Sequence, residues 1–354
     1  MKRIFPYILT ALVLAACGRR ECPFSGCGDS SDSVEITADI LLPSTPVRNQ
    51  GDTELCWIYA MLAAIETDRL AQGDSVTLSP LWLARKSLEE QSADTYLSGR
   101  RISLRGTLPE AMRLLETHGI VAWDAYRASQ QSPSRAATRK TERLARSFSV
   151  HKKGLEELRE AVGDALDSTL GPTPRNVFML GMEYTPREFA HSLCMPGDWK
   201  AYTSFTHHPF HTPFVMEIPD NRQRHEATNI PLEELVSMTA RSLRNGHPVA
   251  WEGSLAFRRN GNDAAGIQRE TGISHGNLSR KDMTTLQQQR QRMLERHQLT
   301  DDHCMAITGM GHDRKGQRYF ILKNSWGKDN GHDGYVYMTE RQFALCTIMI
   351  MARI

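Results

Sequence analysis

Cys56 stands where a thiol can act as a nucleophile. The stretch Pro46 to Ala60 is a loop carrying Gln50 and Gly51 that runs into the apolar-periodic segment Met61 to Leu70, so the cysteine falls in the first turn of a helix. Unpaired backbone N–H groups and the positive end of the helix dipole favour thiolate over thiol there. Such chemistry also needs a base for the thiol, a group that orients the base, and donors for an oxyanion. Far downstream, Asp302-His303-Cys304 opens an apolar run and Lys323-Asn324-Ser325-Trp326-Gly327 follows it, supplying an imidazole and a side-chain amide. Taken singly, each has a plainer reading: a cysteine on an apolar helix is usually core, a histidine before a strand usually structural, and Asn-Ser-Trp-Gly a turn.

The elements that must position these groups are legible in outline. Trp57, Ile58, Met61, Leu62, Ile65 and Leu70 give the Cys56 helix an apolar face wide enough for a buried helix. A second helix starts after Ser79 as N-cap with Pro80 in first position and runs through Lys86 or beyond. A third, capped at Thr107, begins at Leu108-Pro109-Glu110 and ends at His118 before Gly119. From Ala128 to Ser168 the chain is polar and charged, with helical stretches such as Gly154 to Ala165. An amphipathic helix over Pro231 to Asn245, stopped by Gly246, precedes the strand His247 to Glu252, and Lys281 to Arg296 is a Gln- and Arg-rich helix. Strand composition follows at Cys304 to Gly309, Arg318 to Lys323, Gly334 to Met338 and Leu345 to Met351. Helices first and strands last make an α+β chain, with a helical lobe carrying Cys56 and a β-rich lobe carrying His303 and Asn324.

Asn49-Gln50-Gly51, Cys56-Trp57, Asp302-His303 and Asn324-Ser325-Trp326-Gly327, in that order, resemble the papain-like cysteine peptidases. In papain and the cathepsins the His and Asn follow the Cys by roughly 130–150 residues, whereas here both lie more than two hundred residues on. A large insertion therefore separates the halves, as in the bleomycin hydrolase and aminopeptidase C branch. Tyr184 to Phe189, Leu232 to Glu252 and Gly331 to Tyr335 are similar to that branch, and the resemblance spans about Pro46 to Phe343. It implies a two-lobed papain-like fold over residues 46–354, with the insertion within about 128–300. It also implies a site of Cys56, His303 and Asn324, with Gln50 and the Cys56 backbone N–H holding the oxyanion and Trp326 shielding the His–Asn bond. The family's cleft-lining glycine pair appears here as Gly106-Thr107, so Gly106 is expected either to pair with substrate backbone or to serve the turn into the helix. Leu55 replaces a small Ser or Thr, and Glu54 adds a negative charge expected to shift substrate preference or raise the thiol's pKa.

At the start, Lys2 and Arg3, the apolar run Ile4 to Val13 and Leu14-Ala15-Ala16-Cys17 form an export signal, too short to span a bilayer. Small residues before a cysteine resemble the bacterial lipobox, which implies removal of residues 1–16 and a lipid on Cys17; an ordinary cleaved signal is the alternative. Residues 17–45 read as a flexible tether, within which Cys22 and Cys27 could pair in an oxidising compartment. Cys194, Cys304 and Cys346 read as small buried hydrophobes. Thr206-His207-His208-Pro209-Phe210-His211 is a loop, and with no Cys, Asp or Glu at suitable spacing no metal is expected there. Apolar content of 40%, charged content of 24% and a formal charge of +2 suit an ordinary globular protein and suggest no nucleic-acid surface.

The sequence thus leads to an exported, lipid-anchored peptidase of the bacterial cell envelope that needs no cofactor. Its partners would be peptide or protein substrates and, through the lipid alone, a membrane. Two other classes stand beside it: a peptide-binding lipoprotein on a retired peptidase fold, and an acyl transferase in which an amine replaces water. Relatives in the aminopeptidase branch place their C-terminus in the cleft, and the short run after Met351 favours endopeptidase action, or exopeptidase action limited by the insertion instead.

Overall fold

The computed structural model describes residues 35–127, 134–179, 181–255 and 277–353. The export signal, Cys17, Cys22 and Cys27 lie outside the described residues. Strand β1 (Thr37–Leu41) leads into α1 (Cys56–Ala71), α2 (Pro80–Ser98) and α3 (Leu108–His118), the three helices expected before the insertion. Ser79 caps α2, accepting the Trp82 N–H at 3.2 Å, and Gly99 ends it in the left-handed conformation. Thr107 occupies the N-cap of α3, but its side chain makes no capping bond. α1 is buried on most sides, and with α2 and α3 it builds one apolar cluster around Trp57, Met61, Leu83 and Leu114. Truncating such a side chain to alanine costs about 2–5 kcal/mol.

The region read as an insertion has two characters. α4 (Ser134–Val150) and α5 (Leu155–Leu170) pack on α2 as an added helical layer, followed by the hairpin β2 (Val177–Met179) and β3 (Met182–Tyr184) and by α6 (Pro186–Leu193). A capping box at Thr185 and Glu188 starts α6. The rest is woven into the main sheet: β4 (Trp199–Thr203), β5 (Pro213–Val215), β6 (Glu226–Asn229), α7 (Leu232–Arg244), β7 (Val249–Gly253) and α8 (Arg280–Glu295). β8 (His303–His312), β9 (Arg318–Lys323), β10 (Tyr335–Thr339), α9 (Glu340–Cys346) and β11 (Thr347–Arg353) complete the chain. The nine-stranded sheet runs β10-β9-β8-β7-β11-β4-β6-β5, with β1 also on β8, and α1 lies against β8.

Two expectations are corrected. The tether does not extend through 45, because β1 joins the sheet on β8 with Ala38 opposite Gly311 and Leu41 opposite Gly309. A Cβ on Gly311 would sit 2.3 Å from the Thr37 carbonyl, so the bare glycine is what admits the strand. Thr45 then donates a buried 2.5 Å hydrogen bond to Glu66 of α1. The Leu345 to Met351 run is likewise not all strand. A capping box at Thr339 and Gln342 starts α9, which takes Leu345 and Cys346 before β11 begins.

Candidate active site

Cys56 is the first residue of α1, behind the N-cap Leu55, which offers no side-chain cap. The loop before it is held by its own polar groups. Gln50 donates its side-chain N–H to the Thr53 carbonyl at 2.6 Å, Thr53 donates its hydroxyl to the Gln50 carbonyl at 2.8 Å, and Gly51 N–H reaches Asn49 Oδ1 at 2.8 Å. The same loop is stapled to the segment after β9. Gln50 N–H donates to the Ser325 carbonyl at 2.8 Å, Ser325 Oγ–H donates to Gln50 Oε1 at 2.6 Å, and Gly327 N–H donates to the Arg48 carbonyl at 3.0 Å. With Oε1 and one N–H engaged, the Gln50 amide is fixed and its second N–H is left for another acceptor.

On the facing wall His303 opens β8 and pairs across the sheet with Gly253 of β7. Its Nε2 lies 2.8 Å from Asn324 Oδ1, which also accepts the Ser325 backbone N–H at 2.8 Å. An oxygen taking two donors fixes Nε2 as the protonated nitrogen and leaves Nδ1 for Cys56. Trp326 lies over the imidazole, ring centroids 4.5 Å apart, covering the His–Asn bond. Asp302, the residue before His303, is held by the Leu255 N–H at 2.6 Å and by the Ser254 and Thr300 hydroxyls, and its charge helps to raise His303.

The electrostatics separate two neighbouring thiols. Cys56 is held well below the ordinary thiol range by hydrogen bonding from the Cys304 thiol and from His303, against the burial that opposes ionisation. Cys304 is pushed well above that range by desolvation, by its hydrogen bond to Cys56 and by the negative charges of Glu252 and Cys56. Burial alone would lower His303, but its hydrogen bond and attraction to Cys56, with the Asn324 bond, raise it. Both shifts favour a thiolate beside an imidazolium, with Cys304 as the donor. Glu54 is exposed, and its negative charge acts on Arg105.

Beside this pair the two walls are bridged. The segment 216–225, which follows β5, is folded on the buried Asn221 side chain, whose amide N–H groups donate to the Met216 and His225 carbonyls at 3.0 and 2.8 Å. From it Asp220 takes the Arg105 guanidinium at 2.7 Å on one wall, while its N–H donates to Asp301 Oδ2 at 3.1 Å on the other. Arg105 also donates to the Asp301 carbonyl at 3.1 Å, and Arg222 to Gln91 Oε1 at 3.1 Å. Under this strap lies a small cavity bordered by Trp57, Gly106, Thr107 and Asp220. A Cβ on Gly106 would lie 2.8 Å from the Trp57 ring, so the glycine is needed for close approach to that indole. The Thr107 side chain is fully buried, and its hydroxyl faces no hydrogen-bond partner.

Comparison with known proteins bears on this arrangement directly. The sequence model of the Peptidase C1-like family matches residues 175–351, half of the chain. The chain belongs to the Peptidase C1-like family. The matched stretch includes His303 and Asn324, while Gln50 and Cys56 precede it. Aminopeptidase E of Lactobacillus helveticus is 26% identical over 175 residues, covering 47% of this chain. The chain spans only 38% of that relative's length. Aminopeptidase C of Lactococcus lactis subsp. cremoris is 23% identical over 369 residues, covering 91% of this chain and 82% of the relative. Among solved structures, PepW from Lactobacillus rhamnosis superposes with a TM-score of 0.63 at 16% identity, over 90% of this chain and 82% of that one, and so shares the fold. The α+β papain-like architecture expected from the motifs is the one this Peptidase C1-like chain adopts.

Within the Peptidase C1-like site, the fold brings together Cys56, His303, Asn324, Trp326 and the loop of Gln50. Sequence reasoning missed Cys304, taken only as core, and Ser325, whose hydroxyl orients Gln50.

Proposed function

We propose that this chain is a cysteine peptidase that cleaves peptide bonds near the amino end of its substrate through Cys56, His303 and Asn324. The observation that carries the reading is the 2.8 Å bond from His303 Nε2 to Asn324 Oδ1, with the lowered Cys56 thiol at the other side of the same ring. In this account the Cys56 thiolate attacks the scissile carbonyl carbon. The oxyanion is held by the Cys56 backbone N–H and the second N–H of Gln50, and loss of one such donor costs about 2.7–4 kcal/mol of transition-state stabilisation. His303 then protonates the leaving amine, and water, deprotonated by the same imidazole, hydrolyses the thioester. Asn324 keeps the ring in plane and Trp326 keeps water from that bond.

Action near the amino end is supported by the strap, since an extended chain would meet the Arg105–Asp220–Asp301 bridge. Two relatives named as aminopeptidases fit the same reading. The strap belongs to the insertion, in keeping with exopeptidase action limited from there. Gly106 and Thr107 would border the substrate through their backbone. We further read residues 1–16 as a lipoprotein signal and Cys17 as the lipid-bearing residue, which would hold the enzyme at the bacterial cell envelope. Cys17→Ala should then release the protein from the membrane fraction.

The test is digestion of a mixed peptide library with products identified by mass, using the full chain and its Cys56→Ala variant. Stepwise loss of amino-terminal residues that requires Cys56 supports the proposal. Internal cleavage would move the assignment to an endopeptidase, and equal silence of both proteins under reducing conditions would favour a peptide-binding role.

A further inference from the structure

We infer that His207, His208 and Glu217 form a binding site for a divalent transition-metal ion of the zinc class. Spacing in the sequence offers no acid beside the two histidines, which is why no metal is expected from it. The fold supplies one from ten residues on. β5 turns the chain back so that Glu217 faces both rings: Oε2 lies 3.2 Å from His207 Nε2, and Oε1 lies 2.9 Å from His208 Nε2. All three ligand atoms fall within 4.8 Å of one another. A tetrahedral zinc with bonds of about 2.0 Å needs ligand atoms roughly 3.3 Å apart, so small side-chain rotations on an unmoved loop backbone would complete three corners and leave the fourth to water.

Three features make this more than a surface pair. The first is the orientation of the rings, since His208 stacks on Phe214 at 4.1 Å and His207 meets the same ring edge-on at 5.5 Å. The second is the support behind His207. Its Nδ1 lies 3.2 Å from Nε2 and 3.3 Å from Oε1 of the buried Gln291 on α8, whose amide can serve as the outer partner that a metal-bound imidazole characteristically has. With a metal on Nε2, the ring proton would lie on Nδ1 and donate to Gln291 Oε1. The third is the rigidity of the loop, whose carbonyls at Phe205, His208 and Pro209 all accept from the buried Asn229 amide. His207 and Glu217 are exposed enough for an ion to enter. Two imidazoles and one carboxylate suit zinc over magnesium, which prefers oxygen ligands. Glu217 also begins the strap, so a bound ion would fasten the root of the strap to the β4–β5 loop.

The test is calorimetric titration of Zn2+ into the full chain carrying Cys56→Ala, which removes the active-site thiol as a competing ligand, with thermal melting in parallel. The inference expects one zinc whose affinity falls at least about tenfold with His208→Ala and with the near-isosteric Glu217→Gln, and by about tenfold with Gln291→Ala. Zinc should raise the melting temperature of the Cys56→Ala protein and not that of the Glu217→Gln protein. Zinc binding of equal strength in all four proteins, absence of zinc binding in the first, or equal competition by Mg2+ would overturn it. Circular dichroism of each variant separates a lost ligand from a lost fold.

Discussion

The two walls of the site are built on opposite principles. The His303 wall is a strand locked into the middle of a nine-stranded sheet, with its key side chain fixed by Asn324 and covered by Trp326. The Cys56 wall is a helix end with no side-chain cap, held in place by a loop that borrows its hydrogen bonds from Ser325 on the other wall. The strand gives rigidity, and the helix end gives the field that favours a thiolate. The two cysteines make the contrast sharpest, because they touch and yet shift in opposite directions. The hydrogen bond that Cys304 gives and the hydrogen bond and charge of His303 lower the Cys56 thiol; burial alone would disable both.

Substitutions can break that contrast. Cys56→Ala should reduce peptide hydrolysis to background, and His303→Ala should lower kcat/KM by about 10²–10⁴, measured with a cleavable short peptide. On the helix wall, Gln50→Ala should lower kcat by about 10²–10³ with little change in KM, since an oxyanion donor acts in the transition state. A KM effect without a kcat effect would mean that Gln50 only shapes the loop.

On the strand wall, Asp301 tests the cost of burial. Burial, followed by the Asp220 charge, raises its carboxyl to about 6. A raised folded pKa gives stability that is full below the unfolded value of about 3.9 and lost as pH rises through about 6. Asp301→Asn should therefore stabilise the protein by on the order of 2 kcal/mol near pH 7 and by almost nothing near pH 4, read by denaturant melts at both. Equal effects at the two pH values would contradict the assignment. Smallest in its effect on hydrolysis is Cys304→Ala, which should leave activity within several-fold of the parent while raising the apparent pKa of Cys56, because the thiolate loses a donor.

Much of this was readable from residues alone, and the boundary has a physical cause. Local signals carried well: Ser79-Pro80 and His118-Gly119 bound their helices, and the apolar composition of Arg318 to Lys323 marked a strand. Cys56, His303 and Asn324 were recognisable because each sits in a motif whose order is unusual. What escaped notice depends on partners distant in sequence. Nothing local to Thr37–Leu41 says that Gly309 and Gly311 leave room for it, and nothing near His207 says that Glu217 returns to it. The strap is a third case, joining Arg105 to Asp220 and Asp301 across more than a hundred residues with no periodicity to mark it.

The central claim is that Cys56 is a thiolate held by His303, and the rate of its alkylation by iodoacetamide against pH tests it most directly. Measured in the parent and in His303→Ala, with the modified cysteine identified by peptide mapping, the rate should rise through a midpoint well below the usual thiol value of about 8.5 in the parent and near or above it in the variant. Both midpoints describe the coupled pair rather than either group alone. A parent midpoint at the ordinary thiol value, unchanged by His303→Ala, would contradict the account.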